Sequence, residues 1–172
     1  HGDNGPGSRW ILNAQPGDTA GIYTGQARWQ APKKSQLLLA DASALPALWH
    51  ILEHYEACSP ETLDSVDVVA MIADDAEVED GFEEAWRDKV RSLTMVLAPH
   101  GEHCTRARQL LGSRFTADTA PDSVWVSGEG DLAKAVRSLA VHYWGVPRED
   151  VIWSVYWIQG KPVSYTHLRA HE

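Results

Sequence analysis

The chain has 172 residues, 44% of them hydrophobic and eight of them Trp, enough for one ordinary core and part of a second domain. Its formal net charge of −9 excludes nucleic acid and anionic membrane surfaces as main partners, because both need a basic face. No apolar stretch approaches the roughly 20 residues that span a bilayer, so membrane insertion is not expected.

The two cysteines, Cys58 and Cys104, make no disulfide framework and fit a reducing cytoplasm. The first residue is His1, not Met, so an upstream segment is expected to be missing. Residues 1–35 are rich in Gly, Pro and polar residues. They predict a short helix over 8–14, a turn at Pro16-Gly17-Asp18 and a strand over 20–23. From Gln36 the rhythm changes, and apolar runs alternate with helical patterns. Strands are predicted over 36–40, 66–73, 93–98, 124–127 and 151–157. All but the last are unbroken apolar runs, as expected for strands covered on both faces. Helices are predicted over 43–55, 82–91, 103–111 and 131–143. In the last, Leu132, Ala135, Val136, Leu139 and Ala140 form one apolar face, and Gly145 stops the helix. This alternation predicts a parallel sheet joined by right-handed crossovers.

Open parallel sheets bind ligands beyond the carboxyl ends of their strands, where strand order reverses. The first and fourth strands are expected to flank that point. Their ends read Ala40-Asp41-Ala42-Ser43-Ala44 and Ser127-Gly128-Glu129-Gly130, both small and polar. Ser43 is placed to cap the next helix, with Pro46 in its first turn. The free N–H groups and the dipole of that turn favour an anion. Asp41 and Ser43 fit a plain helix cap equally well. The loop is not GxGxxG, which argues against a Rossmann dehydrogenase, and no Gly-x-Ser-x-Gly follows a strand.

His100, His103 and Cys104 lack further ligands at zinc spacing, so no metal site is assigned. With Arg106 and Arg108, His100 offers positive charge to a nucleotide phosphate, or else begins a solvated helix. Asp74 and Asp75 end the second strand, where an acid often binds ribose. The run from there to Glu84 otherwise reads as a solvated acidic loop. Most Trp residues read as core; Trp157, at a strand end, is placed near a cofactor.

Three stretches in order, "HGDNGPGSRW…AQPGD", "LLLADASALPALWHIL" and "SVWVSGEGDLAKAVRSLAVHYWGVPREDVIWSVYWIQG", resemble siderophore-interacting proteins. These are flavin-dependent ferric-siderophore reductases of the ferredoxin-reductase-like group. The resemblance covers about residues 1–160. It departs from the family pattern at Val155, where glycine is usual, and at Ile158-Gln159, where a basic pair is usual. Residues 164–172 have no counterpart and read as a non-native tail.

The resemblance implies an α/β fold: a five-stranded parallel nucleotide-binding domain of ferredoxin-reductase type over 36–160. The end of an antiparallel FAD-binding barrel, residues 1–30, precedes it. It implies electron transfer from NAD(P)H through FAD to a ferric siderophore, which releases iron, with no catalytic side chain and no bound metal. Gly5, Gly7, Ser8 and Trp10 fall where the family meets the flavin pyrophosphate. Asp41, Ala42, Ser43, Ala44, Gly128, Glu129, Tyr156 and Trp157 fall where it meets the nicotinamide nucleotide. Gly128 is expected just past the fourth strand, where valine would harm electron transfer more than folding. With so little of the barrel, the chain is expected to be inactive alone and not to retain FAD. The alternative is a non-catalytic nucleotide- or flavin-binding module. The siderophore, the choice between NADH and NADPH, and the oligomeric state stay open.

Overall fold

The computed structural model describes residues 6–19 and 33–161. Five parallel strands form one sheet: β1 (Gln36–Asp41), β2 (Val66–Ile72), β3 (Ser92–Leu97), β4 (Ser123–Glu129) and β5 (Val151–Trp157). Their spatial order is β3-β2-β1-β4-β5. The chain winds outward from β1 to β3, then returns to β1's other side, so the order reverses between β1 and β4 as expected.

Side chains alternate across each strand, and the two faces bury separate cores. Leu37, Leu39, Val69 and Met71 pack under α4 (His103–Arg114) and α5 (Gly130–Ser138) through Ala107, Leu111, Leu132 and Val136. Leu38, Ala40, Val68 and Ala70 pack under α2 (Leu45–Cys58) and α3 (Phe82–Trp86) through Leu48, Leu52, Tyr55 and Trp86. All of β1 and β2 is buried, which explains their unbroken apolar runs. β3 reads the same way but is an edge strand, only half-buried, with Leu97 exposed. An apolar run therefore does not separate an edge strand from an inner one.

Several boundaries differ from expectation. α2 does not begin at Ser43: a 3-10 turn, Ala42–Ala44, comes first, capped by the Asp41 side chain. Pro46 does sit in the first turn of α2. α3 ends at Trp86, five residues early, whereas α4 runs on to Arg114. α5 continues through a π-helical turn, Leu139–Tyr143, and Gly145 follows at φ +75°, the left-handed conformation a helix stop requires. β4 extends through Gly128 and Glu129, so these residues end the strand rather than follow it.

The first helix, α1 (Pro6–Asn13), begins two residues before Ser8, and Gly17 makes the expected turn at φ +105°. Residues 1–5, the strand over 20–23 and the tail over 164–172 lie outside the described residues.

Candidate functional site

At the carboxyl ends of β1, β4 and β5 lies a cavity of about 730 Å³ lined by Asp41, Ala42, Ser43, Glu77, His100, Tyr156 and Trp157. Its floor is Asp41, the last residue of β1, which is 1% exposed. Its Oδ1 accepts from the Ser43 amide at 2.9 Å and the Ser43 hydroxyl at 2.5 Å. Its Oδ2 accepts from the Glu129 amide at 2.7 Å and from Trp157 Nε1 at 2.9 Å. All four donors are neutral, and no Lys, Arg or His among the described residues forms an ion pair with this carboxylate.

Gly128 explains how the carboxylate fits. A Cβ there would sit 2.5 Å from both Asp41 oxygens, and its φ of +139° suits glycine. Valine at this position is therefore expected to damage the fold directly, in contrast to the expectation that it would chiefly harm electron transfer.

Glu129 plays the matching part for α5. Its Oε2 accepts from the Asp131 and Leu132 amides at 2.6 and 3.0 Å, and its Oε1 from the Gln159 amide at 3.3 Å. The 3-10 turn before α2 and the start of α5 thus each hold one of the chain's own carboxylates, whereas Ala44 at the start of α2 has no side-chain cap. Ser43 is not the cap itself: its amide donates to the Asp41 carboxylate.

A register shift shapes the wall. Gly128 pairs with Val155 but Glu129 pairs with Trp157, so Tyr156 is an extra residue in β5. Consecutive strand residues normally point to opposite faces; a bulge re-aims them. Here both Tyr156 and Trp157 line the cavity. The pKa of the Tyr156 hydroxyl is raised above its ordinary value, first by burial and then by the Asp41 charge, against a smaller opposing pull from Ser127.

The far wall comes from the loops after β2 and β3. Asp74 Oδ1 accepts from the Ala76 amide and caps the 3-10 turn Asp75–Glu77. Glu77 reaches back to the Ala73 amide at 2.8 Å and pairs with His100 Nε2 at 3.1 Å. The His100 ring meets Trp157 edge-on, with centroids 5.6 Å apart, and its Nδ1 is buried without a partner. Sequence reading left Glu77 in a solvated loop. The missed signal is Asp74-Asp75-Ala76-Glu77, the spacing of a capping box, which folds a glutamate inward.

The remaining expected residues are placed apart from the cavity or differently within it. Ala44 is buried under α2, and Gly128 and Glu129 lie beneath the floor. Arg106 pairs with Glu102 in the 3-10 turn just before its helix, Arg108 is exposed, and His103 is buried against the Ala98 carbonyl. Of the residues expected near the flavin, Trp10 is exposed on α1 beside Ile11 and Leu12, and Gly5 lies outside the described residues. Among the described residues no group of three or more His, Cys, Asp or Glu could hold a metal ion, and no helix is long and apolar enough to cross a membrane.

A family model described as "Siderophore-interacting protein" matches residues 33–160. The chain belongs to the siderophore-interacting protein family. Its sheet is the all-parallel, ferredoxin-reductase-type fold expected of a siderophore-interacting protein. It is 25% identical over 172 residues to the mycobactin import ATP-binding/permease protein IrtA of Mycolicibacterium smegmatis, covering 95% of this chain and 18% of that protein. Among solved structures it is similar to the siderophore-interacting protein SipS of Aeromonas hydrophila, with a TM-score of 0.70 and 21% identity over 94% of this chain and 60% of that one. A siderophore utilization protein from T. fusca gives a TM-score of 0.59 and 28% identity over 96% of this chain and 60% of that one. The chain therefore spans about 60% of these solved structures and under a fifth of the transporter.

Proposed function

We propose that the chain is the pyridine-nucleotide side of a flavoprotein that passes electrons from NAD(P)H through FAD to a ferric siderophore. The observation that carries this reading is a cavity walled by Trp157, Tyr156 and His100 at the strand-order reversal, within a siderophore-interacting protein. Its walls suit a nicotinamide ring. Its helical starts offer no free amide at Ser43 or Asp131 for the diphosphate. When bound, FAD would take up a hydride and release electrons singly. The protein's part is to hold the rings in register and exclude water.

In this reading residues 36–160 form the NAD(P)H domain and residues 1–30 close a FAD-binding barrel, with Gly5, Gly7, Ser8 and Trp10 on the flavin side. Iron held by hard oxygen ligands is released on reduction, and the likeness to a mycobactin importer supports a siderophore cargo. A reaction fed by NAD(P)H belongs in the cytoplasm. The test is stopped-flow reduction of flavin by NADH and NADPH in a protein where a family barrel precedes this chain. Rapid bleaching of the flavin, followed by iron(II) capture from a ferric siderophore, is expected. A flavin that binds but is not reduced by either nucleotide overturns the reading.

A further inference from the structure

The cavity carries charge as well as rings. Asp41 is a buried carboxylate whose four hydrogen bonds all come from neutral donors. Neutral donors leave the field of the carboxylate uncancelled, and burial weakens solvent screening. Glu77 adds a second carboxylate to the lining, and no Lys or Arg among the described residues lines the cavity. With His100 neutral the lining carries two negative charges, and with His100 protonated one, so it is negative in either state. Trp157 and Tyr156 add ring systems that attract a cation placed over their faces. A phosphate is disfavoured here; a flat, positively charged ring is favoured.

We infer that this cavity is a seat for a planar aromatic cation and that it holds the pyridinium ring of an oxidised nicotinamide more tightly than an uncharged ring of the same shape. The identity of that occupant rests on the function proposed above; the charge preference rests on Asp41, Glu77 and the rings alone. The physical consequence is that the site favours the nucleotide after it has given up its hydride, the direction in which electrons leave it.

The test is a pair of calorimetric titrations of the 172-residue chain. One uses 1-methylnicotinamide, a cation, and the other nicotinamide, its neutral counterpart with the same ring and carboxamide. The cation is expected to bind about fivefold tighter or more at low salt, and the gap should narrow as salt rises. Glu77→Gln keeps an oxygen for the Ala73 amide while removing a charge, and should cut the preference by about half or more. Trp157→Leu should weaken both ligands. Equal affinity for the two rings, tighter binding of the neutral one, or no binding of the cation overturns the inference. If Glu77→Gln fails to fold, the wild-type pair of titrations still decides.

NADH and NAD⁺, titrated separately, distinguish the two claims. Equal binding of both dinucleotides with no cation preference leaves the proposed function standing and removes the inference. A clear preference for 1-methylnicotinamide with neither dinucleotide bound does the reverse.

Discussion

Two aspartates on neighbouring strands, Asp41 on β1 and Asp67 on β2, are 1% and 2% exposed. They lie at opposite ends of the sheet and are treated in opposite ways. Asp67, at the amino end, pairs with Arg91 and with Arg114 and accepts from the Ser92 hydroxyl at 2.5 Å. Two guanidinium groups balance one carboxylate, and the network ties the edge strand β3 and the end of α4 to the sheet. Asp41, at the carboxyl end, ties β1, β4 and β5 together, and its donors among the described residues are all neutral. A buried ion without a countercharge costs several kcal/mol. The contrast teaches that the amino end is built for cohesion, whereas the carboxyl end keeps an unbalanced charge beside an open cavity.

Substitutions break the two networks unequally. Gly128→Val is expected to have the largest effect. Left-handed strain costs about 1–3 kcal/mol, overlap with Asp41 adds to it, and each kcal/mol shifts a chain of this size by about 2–4 °C, so melting should fall by about 10 °C or more. Calorimetry checks this; a melt within about 2 °C of the parent would mean that the Asp41 floor readily moves aside.

Asp67→Ala comes next. Breaking a buried pair costs about 3–5 kcal/mol, reduced to about 2–4 here because Arg91 and Arg114 are partly exposed and can rehydrate. Amide exchange of β3 should accelerate with it. Unchanged exchange in β3 would show that the network does not anchor that edge.

Asp41→Asn is expected to cost less than Asp67→Ala. Whichever way the amide turns, one oxygen serves one donor pair while its NH₂ faces the other, a loss of about 1–3 kcal/mol partly offset by relief of the buried charge. A larger fall in melting temperature than for Asp67→Ala would reverse the ranking of the two ends.

The smallest effect is read from pH. Burial and Asp41 raise the Tyr156 pKa above 10.0, so folding keeps this phenol protonated where the unfolded chain releases its proton. The corresponding stability is present below the unfolded pKa and is lost as pH rises through the folded one. Alkaline melting should therefore fall less steeply in Tyr156→Phe than in the parent, and Asp41→Asn should lie between. Superimposed pH profiles would remove Asp41 from the environment of Tyr156.

The sheet was legible because β1, β2 and β4 are apolar runs punctuated by helical patterns, and parallel order follows from that alternation. The place of the cavity was legible from strand ends, which drew attention to Asp41 and Trp157. What the residues do there was not. That Asp41 and Ser43 form a plain helix cap was one of the two readings of Ala40-Asp41-Ala42-Ser43; that the same carboxylate also reaches the Glu129 amide and Trp157 was not legible there. That depends on a missing Cβ at Gly128, 87 positions on. The bulge at Tyr156 is set by pairing with β4, and the turn that brings Glu77 to His100 depends on contacts between loops remote in sequence.

The central claim is that the chain's own carboxylates take the Ser43, Asp131 and Leu132 amides at the strand reversal, leaving the ring-lined cavity for the nicotinamide. A crystal structure of the chain with oxidised nicotinamide dinucleotide tests it most directly. The account predicts the pyridinium ring in the cavity against Tyr156 and Trp157, Asp41 still bonded to Ser43 and Trp157, and the diphosphate away from the Ser43 and Asp131 amides. A diphosphate seated on those amides, with Asp41 or Glu129 displaced, would contradict it.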